Sequence, residues 1–192
     1  IYKYMGCIIN EGVTLNCAGY TVGGINKIYL ANLEDIASYT LNVDGSIEEI
    51  VMVPTKVWYK FEFADTTGLT TSEFQNNAGT KNFLHGVGLS IPKMSQDIIS
   101  TMQELGLSKV VALVESRESR DVAPFLGQNR WHVYGAKNGL TVTTMTSGSG
   151  QNATDFSGFV VVLNGTETSE FIELVPDSGT YTTILSYVNT LD

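Results

Sequence analysis

Apolar and polar positions alternate in several segments of this chain, and in one segment the period lengthens. Lys56–Ala64 (KVWYKFEFA) sets Val57, Tyr59, Phe61 and Phe63 on one face and Trp58, Lys60 and Glu62 on the other. That period of two predicts a half-buried antiparallel strand. Between Lys93 and Leu105 the period lengthens to that of a helix, with Met94, Ile98, Met102 and Leu105 in one stripe. Ser95 or Ser90 suits the start, Asp97 suits the positive N-terminal end, and Gly106 is the expected stop. A helix this short and one-sided is expected to lie on a sheet. Phe83–Ile91 (FLHGVGLSI) before it and Lys109–Glu115 (KVVALVE) after it both read as strands, the second a buried-type apolar run.

The remaining pattern is also β. Tyr2–Asn10 and Val13–Tyr20 read as strands separated by the Glu11-Gly12 turn signal, and Ile25–Leu30 follows the Gly23-Gly24 pair. Asn32–Ile36 suits a short helical turn. Ala37–Val43, the Asp44-Gly45 turn and Ile47–Val53 read as a hairpin that ends at Pro54. Asp65–Lys81 is polar and predicts a long loop or an exposed hairpin. Trp131–Tyr134 and Gly139–Met145 are strand-like, and Thr146–Gly158 is a Gly/Ser loop. Phe159–Leu163, the Asn164-Gly165 pair and Thr168–Leu174 read as a late hairpin. Tyr181–Leu191 fits a strand or a short helix. The sum is a single β-rich domain over 1–192, an antiparallel β-sandwich or barrel with one flanking α-helix at about 93–105. Its extended loops fall at about 65–81 and 146–158.

Charge changes the functional picture more than the fold. The net charge is −9, from 11 basic and 20 acidic residues, and charged residues make up only 16%, against ~25% in ordinary domains. A surface so poor in charge suits a chain partly covered by partners. No Lys or Arg follows Lys137, while Asp155, Glu167, Glu170, Glu173, Asp177 and Asp192 do. Tight DNA binding needs clustered cations, and none are present. No apolar run reaches the ~20 residues of a membrane helix, and Tyr2–Asn10 lacks the features of a secretory signal. Cys7 and Cys17 fit either a disulfide across a short hairpin or, the favoured reading, two buried thiols.

Catalytic chemistry is not legible. His85 and His132 lack carboxylates at ligand spacing and read as ordinary strand histidines. Gly86-Val87-Gly88 does not open a helix, and no phosphate loop, nucleophile elbow or zinc-protease motif occurs. The neighbouring pairs Glu34-Asp35 and Glu48-Glu49 point to opposite faces of a strand. Asn152 and Asn164 fit glycosylation sequons but read better as turn residues. No catalytic, cofactor-binding or metal-ligating residue is therefore assigned, and the chain is expected not to be an enzyme. Ser116–Asp121 (SRESRD) is the densest charge cluster. It reads as a solvated loop or as an inter-subunit contact in which Glu115, Arg117, Glu118, Arg120 and Asp121 fix register.

Strand–helix–strand Leu84–Glu115, the charged loop Ser116–Asp121 and the late hairpin Phe159–Leu174 together resemble bacteriophage tail tube proteins and the related tubes of contractile injection systems. Gly23–Ile36 (GGINKIYLANLEDI) is also similar to small tail-structure proteins of phages of Bacteroidota. The resemblance covers most of the chain and is architectural. It implies a β-sandwich or barrel with one flanking helix, a homo-oligomeric ring, hexameric in such tubes, and contacts to neighbouring rings or other tail proteins. It implies a virion protein made in the bacterial cytoplasm, with DNA as non-sticking cargo. Some of Glu48, Glu49, Glu62, Glu167, Glu170 and Glu173 are then expected to face the channel. The chain is longer than minimal tube subunits, which leaves a ring, neck or terminator as an alternative place in the tail. Two other classes compete: a glycan-binding β-sandwich using Trp58 and Trp131, and a hydrolase with carboxylates assembled from distant strands.

Overall fold

The computed structural model describes residues 23–77, 79–117, 131–152 and 154–176. The expectations for Tyr2–Asn10, Val13–Tyr20, Cys7, Cys17 and Tyr181–Leu191 lie outside the described residues. The strands in chain order are β1 (Ile25–Asn32), β2 (Ile36–Leu41), β3 (Ile47–Met52), β4 (Tyr59–Lys60), β5 (Leu69–Asn77) and β6 (Thr80–Ile91). Helix α1 (Gln96–Leu107) follows, then β7 (Lys109–Ser116), β8 (Trp131–Tyr134), β9 (Leu140–Gly148), β10 (Gly158–Glu167) and β11 (Ile172–Glu173). A short 3-10 turn, Leu33–Asp35, joins β1 to β2. The protein is mainly β, its sheets antiparallel, with one α-helix among the described residues.

The apolar run in β7 is explained by its two covered faces. Val110, Ala112 and Val114 enter one core, while Val111 and Leu113 enter another. One edge of β7 pairs with β1, in the register Tyr29↔Leu113. Its other edge is shared between β8 and the first residues of β9. From there the sheet runs through β10 and β6 to β5. The link from β4 to β5 bends the sheet back on itself. Phe61 N–H donates to the Ile28 carbonyl on β1 at 3.0 Å, and Ala64 N–H donates to the Ser90 carbonyl on β6 at 2.7 Å. The curl encloses the first core, including Ile28, Leu30, Val87, Leu89, Val161 and Leu163. The β2–β3 hairpin covers the outer face of β1, β7 and β8 over Tyr29, Leu113 and Trp131. Leu174 N–H donates to Trp131 and Val175 N–H to Ile47, at 2.9 and 2.7 Å, tying that hairpin to the main sheet.

Helix α1 buries Met102 and Leu105 against the first core, with Ile98 and Ile99 beside them. It starts at Gln96, later than the apolar stripe predicts. Lys93 N–H bonds to the Ile91 carbonyl, so Pro92 to Met94 form the exit from β6, and Met94 is left 40% exposed. Ser95 sits at the N-cap without a side-chain cap bond, and Asp97 is in the first turn as expected. Gly106 does not stop the helix. Ser108 ends it in extended conformation and leads directly into β7, so no left-handed residue is needed.

Three expectations are corrected, and one choice that the sequence leaves open is decided. Lys56–Ala64 does not keep one face. Phe61 and Phe63 pack on the first core, but Trp58 enters the second, and Val57 and Tyr59 are over half exposed. The chain passes from one layer to the other here, and regular pairing shrinks to β4. Of the two readings of Asp65–Lys81, a long loop or an exposed hairpin, the structure has the hairpin: β5 pairs with β6 from Leu69↔Gly88 to Asn77↔Thr80. The loop expected at 146–158 is likewise shorter, because β9 runs to Gly148. Asp155 gathers the Gln151 and Asn152 N–H groups within that loop. Finally, Asn164-Gly165 is not a turn. β10 runs through it, pairing Asn164↔Gly86 and Gly165↔His85. Gly165 is required by a close approach instead, since a Cβ there would sit 2.2 Å from the Gly139 carbonyl oxygen.

Candidate functional site

Two features stand apart from the cores. The first is the outer face of β9, β10, β6 and β5. Because opposed residues in antiparallel strands share a face, the registers assemble rows across it. One row is Thr144, Val162, Gly88 and Leu69, and the next is Thr141, Asn164, Gly86 and Thr71. Thr146, Val160 and Ser90 extend the face. Within these four strands the two rows contain no charged residue, but Lys109 of β7 lies directly opposite Thr141 at the end of one row, and Glu73, beside Leu84, is on the same face of β5. The polar groups satisfy one another: Asn164 Nδ2 donates to Thr143 Oγ1 at 3.0 Å, and Thr143 donates to the Val162 carbonyl at 3.2 Å. Gly86 leaves room for Thr71, whose hydroxyl would lie 2.4 Å from a Cβ at that position. Leu69 and Val160 remain 51% and 39% exposed.

This face ends at a free strand edge. Among the described residues β5 pairs only with β6, over an unbroken register of nine residues without proline. Soluble proteins normally blunt such edges with charge, proline or a bulge. β2 is a second edge, paired only with β3 and interrupted by two register shifts. The β5–β6 hairpin also outruns its neighbour. β10 ends opposite Phe83, whereas β5 and β6 stay paired to Thr80, projecting by ~10 Å at the usual rise. Phe74 and Phe83 meet edge-on at 5.3 Å at its base.

The second feature is a recess of about 410 Å³ between the β2–β3 hairpin, the β8–β9 turn and the segment after β10. His85 on β6, Tyr39 on β2 and Glu167 at the end of β10 line it among Leu41, Ile47 and Val133. His85 is 2% exposed. Gly135 N–H donates to its Nδ1 at 3.2 Å, so the neutral ring carries its proton on Nε2. The Tyr39 hydroxyl is buried without a hydrogen-bond partner, and the buried His85 ring has the Ser169 carbonyl as its neighbouring acceptor. Burial holds the imidazole below its ordinary pKa, against the opposing pull of Glu167 and Glu170 and the nearby Ser169 carbonyl. Burial, reinforced by Glu167, pushes the Tyr39 hydroxyl well above its ordinary value. Glu167 Oε1 accepts the N–H groups of Lys137 and Asn138 at 3.2 and 2.7 Å.

The residues singled out by sequence are scattered. Glu115 is 2% exposed and faces Lys27 at 4.0 Å, so its charge is directed inside the chain. Arg117 reaches across to Asp65. Glu118, Arg120 and Asp121 lie outside the described residues. Among the acidic channel candidates, Glu167 departs from expectation: it is 3% exposed and spent on the β8–β9 turn. Glu49, Glu62, Glu170 and Glu173 are exposed and Glu48 is half-buried. Glu48, Glu49 and Glu173 sit on strands tied by the Ile47–Leu174 bridge, while Glu62 is in the β4–β5 link. Trp58 and Trp131 are 4% and 0% exposed and present no ring to solvent. His132 packs edge-on against Phe171. Asp35 pairs with Lys56 at 3.0 Å, and the Asn32 amide, with Lys56, holds its carboxyl below the ordinary range. The sequence reads His85 as an ordinary strand histidine; its place in register with Val87, Leu89 and Ile91 puts it on the core face.

No protein-family model, curated protein or solved structure matches the chain. Among the described residues no three His, Cys, Asp or Glu side chains gather as a metal site, and no helix is long and apolar enough to cross a membrane.

Proposed function

We propose that this chain is a structural virion protein of a bacteriophage tail, made in the bacterial cytoplasm. Its copies join into rings, hexameric in tubes of this kind, that stack around a passage for DNA. The role is structural, without catalysis or cofactor. The observation that carries the reading is the outer face of β9, β10, β6 and β5, whose rows through Val162 and Asn164 carry no charge on these four strands, and which ends at a β5 edge that pairs with no further strand among the described residues. Pairing that edge with a strand of another copy covers its open N–H and C=O groups. The projecting tip of the β5–β6 hairpin suits contact with a neighbouring ring. The net charge of −9 suits DNA that passes without sticking. A ring, neck or terminator position in the tail is the alternative within this class. A glycan-binding module is the competing class, and its two tryptophans are buried.

Light scattering and negative-stain microscopy across a concentration series test the proposal. Rings or tubes with a central hole are expected, and Val160→Lys, which puts a charge in the neutral face, is expected to dissolve them while preserving the circular dichroism spectrum. A protein that stays monomeric at every concentration and binds a glycan would overturn it.

A further inference from the structure

The two ends of β6 carry different surfaces. At its N-terminal end the β5–β6 hairpin projects past β10. Phe74 there is 53% exposed, and Phe83 meets it edge-on. Register puts Lys81 on the same face as Phe83 and Phe74, with Glu73 on the other face. Lys81 is exposed and is the sole charge between Phe74 and Phe83. At the C-terminal end of β6 the chain leaves through Pro92–Met94 and returns at Phe156–Gly158. Gly158 passes so close that a Cβ there would collide with the Ile91 carbonyl, and the Phe156 ring lies beside it. Ser157 Oγ donates to Met94 Sδ at 3.9 Å. Met94 and Phe156 are thus held together at this end, yet they stay 40% and 43% exposed. The charges beside them in sequence are Lys93, Asp97 and Asp155, all exposed. One cation against two anions leaves this end net negative.

We propose that the Phe74, Phe83 and Lys81 face of the hairpin docks on the Met94–Phe156 patch of a second copy, so that rings stack head to tail along β6. This rests on the ring reading above and names the two surfaces that join one ring to the next. A thioether and a phenyl ring are favourable neighbours for aromatic rings, and Lys81 meets Asp97 and Asp155. A like-with-like contact would instead set Lys81 against Lys81, or the acidic end against itself. The 12 residues of β6 separate the surfaces by ~35 Å at the usual rise. Unlike surfaces at opposite ends make a heterologous contact, in which each docked copy leaves its far end open and the stack grows. A contact this small becomes strong by repetition around a ring.

Phe74→Ser and Phe156→Ser remove the two halves separately, and both residues are exposed, so the circular dichroism spectrum is expected to be kept. Each variant alone is expected to give single rings by negative-stain microscopy where the parent gives longer stacks. Mixing the two kinds of preformed ring leaves one sound pairing, the hairpin of Phe156→Ser on the patch of Phe74→Ser. That mixture is expected to give stacks of two rings and no longer ones. Lys81→Glu, which keeps the aromatic pair, is expected to shorten the parent's stacks severalfold and serves if Phe74→Ser does not fold. Stacks of parental length from any of these variants overturn the proposal, and so does a mixture that stays as single rings. Ring pairs from Phe156→Ser alone mean hairpin-to-hairpin contact and overturn it too. A parent that forms rings without stacking them overturns the proposal and leaves the ring reading standing. A parent that forms no rings refutes that reading and the proposal with it.

Discussion

Removing the Glu167 carboxylate tests how the β8–β9 turn is held. Glu167 Oε1 accepts Asn138 N–H at 2.7 Å and Lys137 N–H at 3.2 Å. A hydrogen bond to a charged acceptor contributes about 1.5–3 kcal/mol net, with the longer bond at the low end. Lys137 and Asn138 are themselves exposed, so their freed N–H groups reach water and the loss is reduced. Asn138 Nδ2 keeps its 2.8 Å bond to the Thr166 carbonyl. Glu167→Ala is then expected to cost about 2–4 kcal/mol. At ~2–4 °C per kcal/mol for a domain of this size, that lowers the melting point by roughly 5–15 °C. Relief from burying a charge acts in the opposite direction, which makes Glu167→Gln the discriminating variant. It keeps an acceptor for both N–H groups and is expected to cost only about 1 kcal/mol. Urea unfolding with unchanged slopes measures both. Equal losses for Gln and Ala would refute the idea that a two-bond acceptor holds this turn.

Other expectations follow from particular contacts. Gly165→Ala drives a Cβ to 2.2 Å from the Gly139 oxygen and should cost at least about 1–3 kcal/mol, whereas Gly148→Ala, with nothing within 4 Å, should leave thermal melts within about 0.5 kcal/mol of the parent. Trp131→Ala empties a fully buried site and should lose roughly 3–5 kcal/mol in denaturant titrations; a smaller loss would mean that the second core collapses into the space. The depressed pKa of His85 means that, as pH falls below its ordinary 6.5, the unfolded chain takes a proton that the folded chain refuses. Stability should decline through that window by no more than about 1.4 kcal/mol per pH unit for this group, and His85→Gln should flatten that limb of the pH–melting profile. Tyr39 gives the alkaline counterpart: its raised pKa should make stability fall as pH rises above 10, a limb absent in Tyr39→Phe.

Elements whose pattern depends on local periodicity were legible. The β-branched and aromatic run Ile25–Leu30, the turn at Asp44-Gly45 and the end of the helical stripe at Leu105 each appear within a residue or two of their predicted places. Failures occur where a distant neighbour decides. Asn164-Gly165 has the composition of a tight turn, but β6 and β9 flank it on both sides, and its glycine serves the approach of Gly139. Lys56–Ala64 alternates cleanly, yet it changes layers at Trp58, and nothing in a period of two marks that crossing. The neutral face was visible only as a deficit of charge, since its rows draw on four strands spread from Leu69 to Glu167. The recess was less visible still. Tyr39, His85 and Glu167 are far apart in sequence, and each alone reads as an ordinary strand residue.

Strand β6 is where the two surfaces meet without mixing. Its successive side chains point to opposite faces, so His85, Val87 and Leu89 serve the interior while Gly86, Gly88 and Ser90 serve the outer face. The interior side is specified by polar groups held within the chain: His85 accepts from Gly135 N–H, and Glu167 accepts from Lys137 and Asn138 N–H. The outer side is specified the other way, by rows of uncharged residues and by glycines that let Thr71 and Leu69 lie across the strand. A face built so needs breadth rather than any single contact, which is what pairing with another copy of the chain supplies. The period of two also makes the surfaces separable by substitution. A charge at Val160 disturbs the outer face, and the loss of the Tyr39 hydroxyl disturbs the recess on the other side of β6, so each surface has its own variant.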